Sequence, residues 1–107
     1  MKKFIGMEYL AALALIRLDK EEISLTDLNQ FRVEVVKAFE ANEITSVFLF
    51  SPNYAMELVR NYSDCFELIN NDSVLRRKVS NEVLISRFLA YLSNDILRAV
   101  YTSKESA

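Results

Sequence analysis

The chain has 107 residues, of which 51% are hydrophobic, 26% charged and 11% aromatic, with a formal net charge of −2. That profile fits one globular domain and excludes a disordered or low-complexity segment. There is no histidine, and only one cysteine (Cys65), one glycine (Gly6) and one proline (Pro52). Catalysis by Ser-His-Asp or Cys-His groups is therefore excluded, as are thiolate zinc sites, iron–sulfur clusters and an internal disulfide. Phosphate-cradling loops need several glycines and are excluded too. Fifteen carboxylates remain, but none forms a tight Asp-x-Asp cluster. No catalytic, cofactor-binding or metal-binding residue is assigned. An enzyme is the lowest-ranked reading and would require a concave site with perturbed carboxylates.

Met1-Lys2-Lys3 followed by an apolar stretch has the outline of a secretory signal. Glu8 interrupts it, Arg17 ends it, and the unbroken apolar run Tyr9 to Ile16 is far below the ~20 residues of a membrane span. The expected element is a buried helix from Phe4 to Leu18, in a cytoplasmic protein with Cys65 reduced and no membrane contact.

A charged connection, Asp19-Lys20-Glu21-Glu22, leads to a second helix start. Ser24 is placed to cap it, Asp27 to complete an acidic capping box, and Ile23 to pack on Leu28. Its core stripe is Leu28, Phe31, Val35 and Phe39. Asn42 is the expected left-handed terminator. The run Ile44 to Phe50 suits a strand, with a buried helical turn as the rival.

Ser51 and Pro52 predict a third helix, capped by Ser51 and with Pro52 in its first position. Tyr54, Leu58 and Tyr62 mark its face. Two apolar-rich runs, 65–69 and 74–79, flank Asn70-Asn71-Asp72-Ser73 and predict a β-hairpin with Asn71-Asp72 in left-handed conformation. A loop followed by a short helix from Asp72 is the alternative. The last helix begins at Ser80, with a stripe of Leu84, Phe88, Tyr91/Leu92, Ile96 and Val100. Ser93-Asn94-Asp95 is its weak point, because all three side chains compete for backbone hydrogen bonds. Residues 1–102 are expected to form one domain, and 103–107 a frayed tail.

The fold class is therefore α+β and helix-dominated: four main helices with a small β-hairpin, or otherwise a compact helical domain. Adding an extended Glu22-Ile23-Ser24 gives an element order that resembles winged-helix domains. That resemblance implies DNA binding in transcription, with the 52–63 helix in the major groove and the 66–79 hairpin as a wing against phosphate. The contact residues would be Arg76, Arg77 and Lys78 on the wing, the arginines at its tip, with Arg60, Asn53 and Tyr54 on the helix.

Charge placement weighs against that reading. Residues 8–67 carry net −6 and residues 68–104 net +3, and the expected recognition helix holds one basic residue, Arg60. Phosphate neutralisation supplies most nucleic-acid affinity. The preferred reading is a small protein-interaction module that binds another protein through its acidic helical half. Such an adaptor, regulator or inhibitor has the size and composition of small phage- or mobile-element-encoded inhibitors. Tyr91, Leu92, Ile96 and Tyr101 on the wide apolar surface of the last helix are the candidate contacts, with a homodimer as one form of partner.

Overall fold

A short parallel ladder opens the fold. The computed structural model describes residues 4–45, 47–48 and 51–103, and for residues 4, 47, 48 and 101–103 the backbone alone. Phe4–Ile5 (β1) pairs with Val47–Phe48 (β3), Phe4 opposite Val47 and Ile5 opposite Phe48. The strand reading of 44–50 thus holds at 47–48; residues 46, 49 and 50 lie outside the described residues. Because β1 takes residues 4–5 into a ladder, the first helix does not start at Phe4. It starts at Met7 (α1, Met7–Arg17), with Gly6 in the N-cap position.

Leu10 to Leu15 on α1 are all 0% exposed. A helix apolar on nearly every side has to sit centrally, and α1 touches several of the other elements. It packs against α2 (Leu25–Ala41), α3 (Tyr54–Asn61), α4 (Asn81–Arg87) and the strand β2 (Glu22–Ser24). Asp19 ends it in left-handed conformation, φ 52°. The Lys20 N–H bonds the Leu15 carbonyl at 2.9 Å and the Asp19 N–H bonds the Ile16 carbonyl at 3.1 Å, so the last carbonyls are satisfied by a 6→1, 5→2 pair.

Helix α2 begins as its sequence dictates. The Ser24 hydroxyl accepts from the Asp27 N–H at 3.1 Å, and Leu28, Phe31, Val35 and Phe39 are all buried. Its end differs from expectation. Asn42 keeps a right-handed φ of −104° and Glu43 takes the left-handed φ of 57°. The reason is that the Asn42 amide is engaged, donating from Nδ2 to the Ala38 carbonyl at 2.8 Å. Helix α3 also starts later than predicted. Ser51 accepts the Asn53 N–H on its hydroxyl and the Tyr54 N–H on its carbonyl. Ser51-Pro52-Asn53 is consumed as a turn, and the helix begins at Tyr54.

The hairpin forms, and the loop-plus-helix alternative does not. Phe66–Ile69 (β4) pairs antiparallel with Val74–Arg77 (β5). Asn70, Asn71 and Asp72 have φ of 53°, 57° and 62°, one left-handed residue more than the Asn71-Asp72 expected. The Ser73 hydroxyl donates to the Asn70 carbonyl at 2.6 Å and closes the turn. Strand β2 pairs antiparallel with the other edge of β5, giving the order β2-β5-β4. Ile23, Leu75 and Leu68 lie side by side across the three strands. Ile23 and Leu75 are buried, and Leu68 packs on the same core.

The last predicted helix is divided. Helix α4 is capped by Ser80, whose hydroxyl accepts from the Val83 N–H. A 3-10 turn at Leu89–Tyr91 follows, then α5 (Asn94–Ser103). Ser93 accepts from the Ile96 N–H at 3.4 Å, so the Ser-Asn-Asp segment restarts a helix rather than continuing one. The described residues thus hold five α-helices where four were expected. Arg17 of α1 donates to the Val100 carbonyl at 2.7 Å, tying α5 to the central helix. The architecture is α+β and helix-dominated, with a radius of gyration of 13.1 Å, the value for one domain of about 100 residues. The tail residues 104–107 lie outside the described residues.

Candidate functional site

The basic run on β5 is engaged within the molecule. Arg76 Nε lies 3.8 Å from Oε1 of Glu67, its cross-strand partner. The Arg77 side chain is only 8% exposed. Its guanidinium forks onto Glu21, Nη2 to Oε1 at 3.1 Å and Nε to Oε2 at 3.3 Å, and Nη1 donates to Asn81. That contact holds the Glu21 carboxyl below its ordinary value, first through the hydrogen bond and then through the guanidinium charge. Lys78 Nζ donates to the Ser63 carbonyl at 3.0 Å. The three residues lie at the base of the hairpin. Its tip is Asn70 to Ser73, which carries no cation, so the expectation of arginines at the tip is corrected. The open depression beside them, lined by Glu21, Glu67, Arg76, Arg77 and Lys78, mixes both charge signs.

Helix α3 divides the remaining nucleic-acid candidates. Asn53 and Arg60 are exposed, while Tyr54 is 6% exposed and shares a hydrogen bond of 3.4 Å with Asn29 Oδ1. Tyr54 is a core residue with a satisfied hydroxyl, not a free contact. Burial pushes its phenol up. The solvent side of α3 also presents Met56 and Glu57.

The apolar candidates separate in the same way. Tyr91, in the 3-10 turn, is 76% exposed, the most exposed large hydrophobic residue described. Leu92 is half-buried against the core. Ile96 is 4% exposed and is corrected from interface to core: the break at Ser93 turns α5 so that Ile96, Ala99 and Val100 face inwards. The Tyr101 side chain lies outside what the structure describes. Val83 and Ile85 of α4 are partly exposed.

Sequence reasoning missed two arrangements. In the first, Arg87 meets Asp64 and donates from Nη1 to Cys65 Sγ at 3.1 Å. It also lies 5.3 Å from the Tyr62 ring centroid and 5.9 Å from that of Phe88. A neighbouring cation favours a thiolate, but Cys65 is fully buried and burial pushes its thiol up, against the smaller opposing pull of Arg87. The cluster therefore acts as a clamp between the hairpin and α4, not as a nucleophile. It holds the Asp64 carboxyl low through the Arg87 hydrogen bond.

The second missed arrangement is a cleft of about 300 Å³ between the start of α1 and α3. Gly6, Met7, Glu8, Ser51, Tyr54, Glu57, Leu58, Asn61 and Tyr62 line it. The Ser51 hydroxyl lies 3.4 Å from Glu57 Oε1 and donates to it. No lysine or arginine is among the lining residues. The carboxyls held below their ordinary values, Glu21, Asp64 and Glu82, all lie elsewhere. Among the described residues, no group of three or more acidic, cysteine or histidine side chains is arranged to hold a metal. No described helix is long and apolar enough to cross a membrane. Comparison with models of known protein families, with curated proteins and with solved structures returns no match.

Proposed function

We propose that this chain is a small protein-interaction module of the adaptor or inhibitor kind, built on a winged-helix-like scaffold and acting in the cytoplasm. One observation carries the reading. Each cation that a wing would offer to phosphate already has a partner within the chain: Arg77 is buried against Glu21 and Asn81, while Arg76 and Lys78, still exposed, meet Glu67 and the Ser63 carbonyl. A nucleic-acid surface needs cations free to displace counterions. Among the surfaces that the described residues offer to solvent are the exposed Tyr91 and a cleft with two glutamates. Tyrosine is enriched in protein interfaces, and an acidic surface selects a basic partner while repelling nucleic acid.

The second reading, a winged-helix DNA binder, is favoured by the strand order β2-β5-β4. It places a strand between the first two helices beside the hairpin, as a winged-helix domain does. The test is fluorescence anisotropy of a labelled random duplex at low and at physiological salt, beside an Arg76/Arg77/Lys78→Ala triple variant. The expected result is no salt-sensitive binding by either protein. Salt-sensitive binding that the variant loses puts the DNA reading in place of this one, because the non-specific electrostatic component survives without the right sequence.

A further inference from the structure

The chain's only glycine sits where no glycine conformation is needed. Five described residues take left-handed φ, and none of them is glycine: Asp19, Glu43, Asn70, Asn71 and Asp72. Gly6 has an ordinary φ of −70°. What Gly6 supplies is the absence of a side chain. A Cβ there would overlap the carboxylate of Glu8, which curls back over it at the rim of the α1–α3 cleft.

The rest of the lining complements that carboxylate. Glu57 comes from a different helix and is held by the Ser51 hydroxyl. Asn61 offers an amide, and Met7, Leu58 and the Tyr54 ring supply apolar surface. Neither Glu8 nor Glu57 has an ion-pair partner among the described residues. Two carboxylates from separate helices, set over an apolar wall, suit a cation carried on an apolar stem. A long aliphatic chain lies along the apolar part while its charge stays at the wetter carboxylates.

We propose that the cleft is a docking site for a lysine side chain of a protein partner. The inference rests on the protein-interaction reading and names the chemistry its partner brings.

The experiment titrates the isotope-labelled protein with Nα-acetyl-lysine methylamide and follows backbone amide shifts. Nα-acetyl-norleucine methylamide, with an aliphatic chain but no charge, is the control. The lysine probe is expected to give saturable shifts at residues 6–8 and 57–62, and the norleucine probe none. Glu8→Gln with Glu57→Gln is expected to weaken binding about tenfold, as two wet charge pairs should. Gly6→Ala, which displaces only the flexible end of Glu8, is expected to weaken it less. Should Gly6→Ala fail to fold, the two Gln variants still decide the matter. Shifts that never saturate, or that persist unchanged in the double Gln variant, overturn the site. The DNA titration is independent of this one, so a failed cleft and a failed interaction reading give different results.

Discussion

Arg77 and Glu21, 56 positions apart, are joined by a two-point contact at the base of the sheet, with Nη2–Oε1 at 3.1 Å and Nε–Oε2 at 3.3 Å. The pair is asymmetric. The arginine side chain is nearly buried, while the glutamate is 77% exposed. A buried guanidinium that loses its acceptor is left uncompensated, whereas the glutamate alone returns to water at little cost. Glu21→Ala is therefore expected to lower the thermal midpoint more than Arg77→Met, which keeps the apolar stem and removes the charge. Arg77→Lys is expected to resemble the loss of the pair, because an ammonium cannot make the fork. Thermal melts of the three variants check the order.

The same contacts set an acid dependence. Glu21 and Asp64 are held below their ordinary values of 4.5 and 3.8 by Arg77 and Arg87. A carboxyl whose folded value is depressed contributes stability that is fully present above its unfolded value. That stability is lost as pH falls through the folded value. The decline should thus set in below about pH 4.5 and continue to more acid conditions. In Glu21→Gln/Asp64→Asn the slope of unfolding free energy against pH should flatten in that window and stay unchanged near neutrality. Urea titrations at several pH values measure it.

Two helices end on left-handed residues that carry side chains. Asp19 and Glu43 sit at φ 52° and 57°, where a Cβ costs roughly 1 kcal/mol. Glycine at these positions removes that cost while keeping the Leu15 and Phe39 carbonyls bonded. Glu43→Gly is expected to raise stability by up to about 0.5 kcal/mol after the entropy of the unfolded glycine is subtracted. A higher urea midpoint with unchanged slope is the readout.

Leu13 lies in the fully buried centre of α1. Leu13→Ala leaves a cavity enclosed by several elements at once, and such a site relaxes poorly. The expected loss is about 3–5 kcal/mol, the upper part of the range for such substitutions. Tyr91→Ser, at the most exposed apolar position, should change stability by less than about 0.5 kcal/mol. Chemical denaturation of the pair checks the contrast.

Much of the fold was legible because its signals are local. Ser24 and Ser80 announce their helices by capping chemistry confined to four residues, and the stripe from Leu28 to Phe39 follows helical period. The hairpin announces itself through Asn70-Asn71-Asp72. What escaped depends on residues far apart. The β1–β3 ladder joins two pairs of residues over 40 positions apart: the run around Val47 reads as a strand, but Phe4–Ile5 is too short to show strand patterning, so its partner stays hidden. The partners of Arg77 and Arg87 belong to other segments, so a basic run read from sequence as free is engaged in the fold. Tyr54 and Ile96 were misjudged as surface because an apolar residue with helical spacing does not reveal which of two faces is covered. Gly6 carried a signal that went unread: a lone glycine in a chain whose described residues turn left-handed at five positions without one.

The central position of α1 also bears on synthesis. It leaves the ribosome before α2, α3 and α4, yet those later segments are what shield it. The nascent chain therefore carries six consecutive side chains, Leu10 to Leu15, without their native cover until residues beyond 80 have emerged. Non-local closure of this kind slows folding and prolongs the aggregation-prone interval. Truncated chains ending before α4 should accordingly be holdase substrates, and release of the full chain, not emergence of its first helix, is the step that commits it to the native state.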